Sequence, residues 1–415
     1  MGSDSTVPGG VRRVVVTGLG VVSALGVGRE AHLEGLAEGR NGIGPIELID
    51  PSRLMIKIAA EAKDYVGEER WSRQELTLFD RITQMALTAT AEAVEQSGID
   101  FKADGLGEQT AVIIATAMGG LHTQDENYRI VYEEQKNRVH PFIIPRLMAN
   151  APVSQVSMAH GLMGPSWSVA TACASSNHAI GQAFHLVRSG AADAAVTGGT
   201  ESVLCFGGIK AWEGLRVMSK DGCRPFSKNR NGMVLGEGAA ILILEELEAA
   251  KMRGAVILGE IVGAGASADA ADIVAPAVEG AAGAMRRALK DARMEATEVD
   301  YINAHGTATA LNDRTEAAAI KSVLRAQAEK VMVSSTKSMH GHAIGAAGAL
   351  EAAACLMALD RGIVPPTINR DEEDPEIGLD VVPNEAREAK VDAALSNAFA
   401  FGGLNAVLAF RAWRG

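Results

Sequence analysis

Residues 169–181 read VATACASSNHAIG, an apolar β-like run that passes through Cys173 into a helical pattern. The word HAIG occurs twice, at 178–181 and at 342–345, each time ahead of a helix of small residues. In that register Cys173 lies opposite Lys337. The repetition predicts two similar strand-then-helix units that face each other.

The chain has 415 residues, of which 47% are hydrophobic and only 4% aromatic, and it contains 45 glycines. This length and a core of Ala, Val, Ile and Leu with many close backbone approaches are typical of large α/β proteins with two lobes or a duplicated domain. A formal charge of −12 argues against nonspecific binding to nucleic acid or to an anionic membrane surface. The longest apolar helical stretch, 344–359, contains Glu351 and is too short to span a bilayer.

The four cysteines, Cys173, Cys205, Cys223 and Cys355, form no C-x-x-C pair and show no metal-ligand spacing. No apolar signal segment follows the first residues, so we expect a cytoplasmic protein with reduced thiols. Residues 1–11 are predicted to form a flexible leader.

Hydrophobic periodicity predicts the same alternation of strands and helices in two halves, 12–254 and 255–415, which no linker divides. The predicted strands are 12–17, 110–116, 165–170, 192–197 and 239–244 in the first half, and 256–262, 300–303, 331–334, 393–398 and 405–410 in the second. The predicted helices include 76–97, 279–293, 314–326 and 343–359. We expect the two halves to share a continuous core.

The letters GLG at 18–20, directly after the first predicted strand, resemble part of a dinucleotide-binding loop. Ser23 stands where that fingerprint needs its third glycine, and no acidic residue closes a clear strand–helix–strand unit downstream. We therefore predict no dinucleotide site in this segment.

Four short stretches combine reactive or glycine-rich character with a position at the end of a predicted strand. They are TACASSN around Cys173, NAHGTAT around His305, STKSMHGHAIG around Lys337 and His342, and NAFAFGG around Phe401. In α/β proteins the loops at strand ends carry chemistry because a rigid sheet holds them. These loops are the candidate functional site.

Cys173 has two interpretations. A free cysteine is commonly a buried small hydrophobe, and we assign that structural role to Cys205, Cys223 and Cys355. A cysteine at a helix N-terminus lies near unpaired N–H groups and the positive end of the helix dipole, which favour a thiolate. The small residues on either side of Cys173 would also let a substrate carbonyl approach.

His305 follows a strand and precedes Gly306, so its ring can face a cavity, although a hydrogen-bonded core histidine is the alternative. His340 and His342 suggest a metal pair, but side chains two residues apart rarely converge and no carboxylate lies at ligand spacing. We predict no metal site. Lys337 lies in an otherwise apolar segment, although a solvated charge is the usual state of a lysine.

A cysteine, two histidines and a lysine suit two chemistries. A hydrolase uses one histidine as a base and admits water, but no Asn or Asp is evidently placed to orient such a base. A carbon–carbon bond-forming thioester enzyme uses the thiolate as nucleophile and two imidazoles as hydrogen-bond donors to a developing enolate oxygen.

Taken in order, the motifs TACAS, NAHGT-x-T, KS-x-x-GH-x-x-GAAGA-x-E and F-x-FGG-x-N resemble those of the β-ketoacyl-acyl carrier protein synthases, elongating condensing enzymes of the thiolase superfamily. The likeness covers about residues 12–411, and SMH-x-H and NAFA-x-GG-x-NAVLAFR are most similar to the nodulation protein E branch. The resemblance implies a thiolase-like, duplicated five-layer αβαβα fold and a homodimer. It implies an acyltransferase that condenses an acyl thioester with malonyl-acyl carrier protein in fatty acid or polyketide synthesis.

The resemblance also assigns catalytic roles. Cys173 matches the nucleophile that accepts the acyl group, and His305 and His342 match the pair that assists decarboxylation of the malonyl unit. Lys337 matches the lysine that orders the site, and Glu351 its acidic partner. No metal or redox cofactor is implied, because the carrier protein delivers the substrate on its phosphopantetheine.

Further assignments concern the walls of the site. Backbone N–H groups of Cys173 and Phe401 match the oxyanion hole, and the ring of Phe401 matches a gate. The remaining assignments are Phe399 and Gly402 as supports of that gate, Thr307 and Thr309 as contacts of the phosphopantetheine arm, and Met118 as a wall of the acyl pocket.

The sequence departs from the family pattern at a few positions. Ala400 stands where the closing loop usually has glycine, which would stiffen the gate if φ there is positive. His340 stands where threonine is common. Basic residues that often meet the acidic carrier protein are mostly absent, which leaves Arg216 and Lys220 as candidates. The alternative function is a non-catalytic partner subunit similar to a chain-length factor, but such partners typically lack the cysteine.

Overall fold

The computed structural model describes Thr6–Val7 and residues 11–415. The predicted leader, 1–11, therefore lies largely outside the described residues. Its described parts are paired with each other, because Thr6–Val7 forms an antiparallel ladder with Val11–Arg12.

Seventeen strands and thirteen α-helices are present in the described ranges. The strands are β1 (Thr6–Val7), β2 (Val11–Arg12), β3 (Val14–Ser23), β4 (Gly26–Val27), β5 (Gly44–Pro45), β6 (Ile58–Ala59), β7 (Thr110–Ala115), β8 (Ser166–Val169), β9 (Ala194–Glu201), β10 (Gly238–Glu246), β11 (Gly259–Ala268), β12 (Tyr301–Asn303), β13 (Met332–Ser334), β14 (Ile363–Val364), β15 (Arg387–Glu388), β16 (Ala393–Ala400) and β17 (Leu404–Arg411).

The α-helices are α1 (Arg29–Ala37), α2 (Arg73–Leu76), α3 (Arg81–Ser97), α4 (Leu121–Tyr132), α5 (Ile143–Leu147), α6 (Ala151–His160), α7 (Ser175–Ser189), α8 (Phe206–Gly214), α9 (Leu247–Met252), α10 (Val278–Ala292), α11 (Ala310–Leu324), α12 (Lys337–His340) and α13 (Ala347–Arg361). Short 3-10 helices lie at Gly67–Glu69, Ala103–Gln109, Ala296–Glu298, Arg325–Glu329 and Ile344–Ala346.

Ten strands follow one another in hydrogen-bonded order, β13-β12-β16-β17-β11-β3-β10-β9-β7-β8, with β4 added beside β3. Each half of this path arranges its five strands in the same spatial order: first, fifth, fourth, second, third. In both halves two antiparallel pairs are followed by two parallel pairs. The identical topology confirms the predicted duplication. The first repeat ends with β10, and the second begins with β11.

Two helices lie between the halves of the sheet. α7 follows the third strand of the first repeat, α13 follows the third strand of the second, and each packs on the other and on strands of both halves. α3 and α6 cover the outer face of the first half, and α10, with α11 beside it, covers the outer face of the second. The layers therefore follow the αβαβα order that the resemblance implies.

The first long strand runs through the glycines that resemble a dinucleotide loop. β3 continues to Ser23, so the predicted end of this strand near residue 17 is wrong. A Cβ at Gly18 would lie 2.3 Å from the carbonyl oxygen of Ala93, and one at Gly20 would lie 1.9 Å from that of Ala89. These glycines let α3 approach the sheet closely, which explains them without a nucleotide.

The predicted helix 76–97 is wrong at its start. The chain forms the short α2, leaves helical geometry, and begins α3 only after Asp80. The Asp80 carboxylate accepts hydrogen bonds from the N–H of Ile82 and from the N–H and hydroxyl of Thr123, so it caps α3 and ties it to α4. A contact far away in sequence therefore decides where the helix begins.

Smaller boundary differences have similar causes. α11 begins at Ala310 rather than 314, because the side chain of Thr309 caps it by accepting from the N–H of Asn312. The predicted helix 343–359 begins as the 3-10 helix Ile344–Ala346 and continues as α13. The predicted strand 256–262 is found as β11, which begins at Gly259 and extends to Ala268. Within the described ranges, every helix is too short or too polar to cross a membrane.

Candidate active site

Both repeats supply side chains to one cavity. Cys173 follows β8, and Lys337 follows β13, its counterpart in the second repeat. His305 follows β12, and Phe401 lies in the turn between β16 and β17. Cys173, His305, His342 and Phe401 line the same cavity of about 310 Å³. The strand ends thus bring together the loops that the sequence singled out.

A strained turn presents Cys173 to this cavity. Ala172 has a φ of 47°, a left-handed conformation that costs about 1 kcal/mol for a residue with a Cβ. The hydroxyl of Ser175 closes the turn, because it accepts from the N–H of Thr171 at 2.8 Å and donates to the carbonyl of Ala172 at 2.6 Å. Cys173 therefore lies just ahead of α7, buried, with its sulfur at the cavity wall.

Three N–H groups point at the sulfur. His342 Nε2 lies 3.1 Å from Cys173 Sγ. The backbone N–H groups of Cys173 and Phe401 also donate toward the sulfur. Two backbone donors beside a nucleophile form the arrangement that binds the oxyanion of an acyl-transfer intermediate.

The partners of the two histidines determine their tautomers. Lys337 Nζ, which can only donate, lies 3.4 Å from His305 Nδ1, and the N–H of Ile344 donates to His342 Nδ1 at 3.2 Å. Both Nδ1 atoms are therefore acceptors, and in each neutral ring the proton lies on Nε2. The two rings meet edge to face with their centroids 5.5 Å apart. Each ring thus offers an N–H donor.

Both rings are uncharged at neutral pH. Burial lowers the pKa of His305 and of His342 well below the ordinary value, and the nearby charge of Lys337 lowers both further. His342 is also fixed through its backbone, since its N–H donates to the carbonyl of Val234 at 2.7 Å and its carbonyl accepts from Gly236 at 2.9 Å. These rings are rigid, neutral donors rather than bases that await a proton.

Lys337 and Glu351 form a fully buried ion pair behind His305. Burial raises the pKa of Glu351 to about 7, although the Lys337 ammonium acts in the opposite direction. The ammonium contacts both the carboxylate and the imidazole, so it holds the His305 ring from behind while Glu351 balances its charge. This pairing agrees with the partnership that the resemblance implied.

The burial of Cys173 opposes the thiolate that its position at a helix N-terminus predicts. Burial raises the pKa of this thiol to about 11, and the Lys337 charge and the two backbone N–H groups offset that effect only in part. The donors that would stabilise a sulfur anion are present, but the buried cavity excludes the water that would also stabilise it. The thiol is therefore protonated at neutral pH.

We expect alkylation of Cys173 by iodoacetamide to accelerate continuously from about pH 7 to beyond pH 9, because a raised pKa keeps the thiolate scarce at neutral pH. Mass spectrometry of the peptide that contains Cys173 measures the rate without interference from the other thiols. The matched control is the same peptide in urea-unfolded protein, whose rate should level off near pH 9. If the alkylation rate of the folded protein reached a plateau below about pH 8, the raised pKa of Cys173 would be contradicted.

The donor atoms of Cys173, His305 and His342 lie within 4.8 Å of one another, close enough for a shared metal ion. The tautomers argue against this use, because both rings present Nε2–H rather than a lone pair to the cavity. His340 does not join His342 in a metal pair. Its ring nitrogens contact the hydroxyl of Thr336 and the carbonyl of Gly341, away from the cavity.

Two of the predicted substrate contacts line the cavity. Thr307 and Thr309 lie on its wall with their hydroxyl oxygens 3.0 Å apart. Met118, which follows β7 and is 46% exposed, does not line it. Phe399 packs edge to face on His305 with ring centroids 6.1 Å apart. Gly402 lies outside the lining, and its N–H donates to the carbonyl of Ile273 at 2.8 Å.

Ala400 does not strain the turn that carries Phe401. It is the last residue of β16 and has ordinary strand geometry, so the expected stiffening by a positive φ does not arise. The left-handed positions are Gly402 and Gly403, with φ values of 81° and 68°. The alanine is therefore compatible with the turn.

Sequence reasoning missed Glu316, which shapes the His305 loop. Its carboxylate accepts the N–H groups of His305 and Gly306 at 2.8 and 2.7 Å, and the side chain of Asn397 at 3.1 Å. Burial raises the pKa of Glu316 to about 7. A signal was available, because Asp313, Glu316, Ile320 and Val323 follow one buried stripe of α11, where acidic residues are unusual.

Trp212, at the end of α8, was also missed. Its ring stacks on that of Phe401 with centroids 6.1 Å apart and an interplanar angle of 25°. Both rings line the cavity. The contact joins the turn that carries Phe401 to α8, which no short sequence pattern links to it.

Two family models together match most of the chain. The description Beta-ketoacyl synthase, N-terminal domain, matches residues 11–250, and Beta-ketoacyl synthase, C-terminal domain, matches residues 258–371. The chain is 46% identical over 400 residues to nodulation protein E of a Rhizobium species, which covers 96% of this chain and 99% of that protein. It is 42% identical over 414 residues to 3-oxoacyl-[acyl-carrier-protein] synthase 2 of a Synechocystis species, covering 97% and 99%.

Solved structures agree with this result. The ishigamide ketosynthase/chain length factor superposes with a TM-score of 0.92 at 38% identity, covering 97% of this chain and 100% of that chain. A type II polyketide ketosynthase in complex with its acyl-carrier protein superposes with a TM-score of 0.89 at 31% identity, with the same coverage. The protein is a condensing acyltransferase, and it belongs to the beta-ketoacyl synthase family.

Proposed function

We propose that the enzyme performs a decarboxylative Claisen condensation between an acyl group held on Cys173 and a malonyl thioester, both delivered by acyl carrier protein in fatty acid or polyketide synthesis. The observation that carries the proposal is the pair of neutral Nε2–H donors, His305 and His342, beside the Cys173 sulfur. Two fixed hydrogen-bond donors stabilise the negative charge of an enolate oxygen, which a general base does not do.

In the first half-reaction Cys173 Sγ attacks the carbonyl carbon of the acyl thioester. The carbonyl oxygen becomes an oxyanion that the backbone N–H groups of Cys173 and Phe401 accommodate. Collapse breaks the bond to the pantetheine sulfur, which leaves with the proton that the thiol gave up. Because the resting thiol is protonated, this proton transfer belongs to the acylation step.

In the second half-reaction the malonyl carboxylate leaves as carbon dioxide. Its bonding electrons pass to the thioester as an enolate, whose oxygen accepts hydrogen bonds from His305 and His342. The enolate carbon attacks the acyl carbon, and the tetrahedral intermediate collapses to the β-ketoacyl thioester as the bond to Cys173 breaks. Cys173 leaves as a thiolate and takes up one proton from solvent, which restores the protonated thiol. The buried cavity favours this outcome, since water would protonate the enolate. Hydrogen-bond donors stabilise each developing anion and no step needs an external electron donor or acceptor, so we propose that no metal or redox cofactor takes part.

The site walls suit a phosphopantetheine arm. Thr307 and Thr309 offer adjacent hydroxyl groups on the cavity wall. The polyketide ketosynthase that this chain resembles was solved with its acyl-carrier protein. A non-catalytic role similar to a chain-length factor is not favoured, because the nucleophile, both imidazoles and the lysine are all present and mutually bonded.

We further propose a homodimer in the cytoplasm. β8 is one of the two edge strands of the large sheet, and Trp167 on it is partly exposed, close in sequence to the exposed Met158 and Met163. An apolar sheet edge of this kind is normally covered by another chain. All four cysteines are free and buried, as expected in a reducing compartment.

The proposal predicts that the half-reactions separate. After incubation with acyl-carrier protein thioesters, we expect wild-type protein to gain one acyl mass at Cys173, and added malonyl-carrier protein to release carbon dioxide and a β-ketoacyl product. His305→Ala should lower decarboxylation by about 10³-fold, because it removes one enolate donor, while self-acylation falls by less than about tenfold. Intact-protein mass spectrometry and ¹⁴C-carbon dioxide release measure the two steps.

Glu38→Ala, an exposed change far from the cavity, is the control and should leave both steps unchanged. Equal loss of both half-reactions in His305→Ala would contradict the separate role of the imidazole. If wild-type enzyme gains no acyl mass from acyl-carrier protein thioesters of any chain length tested, the proposed function is wrong.

A further inference from the structure

His340 is a fully buried histidine that lies between two residues of the site. It ends the short helix α12, which begins at Lys337, and it precedes His342 by two positions. Burial lowers the pKa of His340 well below the ordinary value, and the nearby His32 and Lys337 lower it further. The ring is therefore neutral at physiological pH and carries one proton.

The partners of the ring decide which nitrogen holds that proton. Nδ1 of His340 lies 2.9 Å from the carbonyl oxygen of Gly341, which can only accept a hydrogen bond, so the proton is on Nδ1. Nε2 is then an acceptor, and the hydroxyl of Thr336 donates to it at 3.0 Å. The side-chain amide of Asn303 in turn donates to the Thr336 hydroxyl at 3.3 Å. The hydrogen bonds thus run in one direction, from the amide of Asn303 to the carbonyl of Gly341.

The first members of this hydrogen-bond chain lie beside two other residues of the site. Asn303 is the last residue of β12, two positions before His305. Thr336 directly precedes Lys337, whose ammonium contacts the His305 ring. The hydrogen bonds therefore join the end of β12 and the start of α12 to the segment that carries His342.

The last member of the chain holds the peptide group between Gly341 and His342. Gly341 has a φ of 66°, a conformation that favours glycine, and a Cβ there would lie 2.7 Å from the Cβ of Ala60. A glycine restrains the backbone only weakly. The N–H of the peptide group donates to the carbonyl of Val234 at 2.7 Å, and its carbonyl accepts from the His340 ring at 2.9 Å. These two bonds fix the plane of the peptide group at both of its polar atoms.

The orientation of this peptide group determines where the His342 ring points. His342 Nε2 lies 3.1 Å from Cys173 Sγ, and the N–H of Ile344 donates to its Nδ1 at 3.2 Å. A rotation of the peptide plane would turn the Cα–Cβ bond of His342, and with it the Nε2–H that the enolate oxygen requires. A misplacement of about 1 Å can lower a rate by about 10²-fold.

We propose that His340 is a positioning residue for the condensation, because its Nδ1–H holds the Gly341 carbonyl and thereby fixes the direction of the His342 Nε2–H. The inference rests on the proposed function and adds to it a residue that acts through its neighbour. A role in filling space would make the size of the side chain at position 340 decisive. A positioning role makes a donor at the place of Nδ1 decisive instead.

The test compares His340→Asn with His340→Gln. The Asn amide places an N–H near the position of Nδ1, whereas the Gln amide reaches the position of Nε2 and leaves the Gly341 carbonyl without its donor. We expect His340→Gln to lower kcat for decarboxylation of malonyl-carrier protein by at least about 30-fold, and His340→Asn to lower it by less than about fivefold. KM should stay within about twofold of wild type in both, because His340 lies outside the cavity lining.

Stability is measured separately, by urea unfolding, and kcat is expressed per folded protein from near-ultraviolet circular dichroism. A role in filling space predicts the opposite order of activities, because Gln retains more of the volume of histidine than Asn does. The matched control is His32→Gln, a buried histidine whose ring centroid lies 6.0 Å from that of His340 and whose Nδ1 contacts the Ser23 hydroxyl. This control should destabilise the fold and keep kcat within about twofold of wild type.

Two results would overturn the inference while wild-type protein still releases carbon dioxide. One is a kcat of His340→Gln that equals or exceeds that of His340→Asn. The other is a loss of kcat in His32→Gln as large as the loss in His340→Gln. If wild-type protein releases no carbon dioxide from malonyl-carrier protein, the proposed function itself is wrong.

Discussion

Cys173→Ala is expected to abolish self-acylation and to lower β-ketoacyl product formation by about 10³-fold or more, the scale typical of removing a catalytic nucleophile. The substitution removes the only atom that can carry the acyl group, while the two backbone N–H groups and both imidazoles remain. Decarboxylation of malonyl-carrier protein needs only the imidazoles, so we expect it to persist in the variant. Intact-protein mass spectrometry and product analysis measure the loss.

Stability should change little in this variant, by about 1 kcal/mol or less, because the sulfur already borders a cavity and its removal opens little new space. The matched control is Cys355→Ala, which removes a buried thiol from α13 that donates to the carbonyl of Leu395. This control should retain self-acylation. Condensation at the wild-type rate in Cys173→Ala would show that another group carries the acyl chain.

Lys337→Met is expected to destabilise the fold by about 3–5 kcal/mol, because it leaves the Glu351 carboxylate buried without its cation. The double variant Lys337→Met/Glu351→Leu should recover most of that loss, since an apolar pair of similar volume needs no charge compensation. Urea unfolding followed by circular dichroism measures both. Condensation should be lost in both variants, because the ammonium also holds His305.

The pH dependence of the single variant follows from Glu351. Its pKa is about 7 in the presence of Lys337, above the value of an unfolded glutamate, and losing the cation raises it further. The native state of Lys337→Met therefore binds a proton more tightly than the unfolded state, and its stability falls as the pH rises through 7. A destabilisation below about 1 kcal/mol at pH 8 would contradict an ionised buried pair.

The sequence could identify the loops that meet at the candidate site because each is a short local pattern at a strand end. Cys173, His305, His342 and Phe401 meet in one cavity, as the order of the motifs implied. The duplication was also predictable from the repeated HAIG word, whose first copy lies in α7 and whose second copy lies directly before α13.

The features that sequence reasoning missed depend on contacts between distant segments. The start of α3 within the predicted helix 76–97 is set by Asp80 and Thr123, and the His305 loop is set by Glu316. The expected thiolate at Cys173 was wrong, because the helix-end donors were predictable but the burial that opposes them was not. The tautomers of the imidazoles likewise follow from Lys337 and Ile344, whose positions behind the rings emerge only from the fold.

The two repeats share one strand order but give the reaction different groups, a sulfur from the first and two imidazoles from the second. A symmetric pair of identical single repeats would have to place the same residue at Cys173 and at Lys337. Covalent tandem linkage removes that requirement, so each copy can specialise. Severing the backbone between β10 and β11 should consequently yield two fragments that are inert alone and complement each other only as an unlike pair.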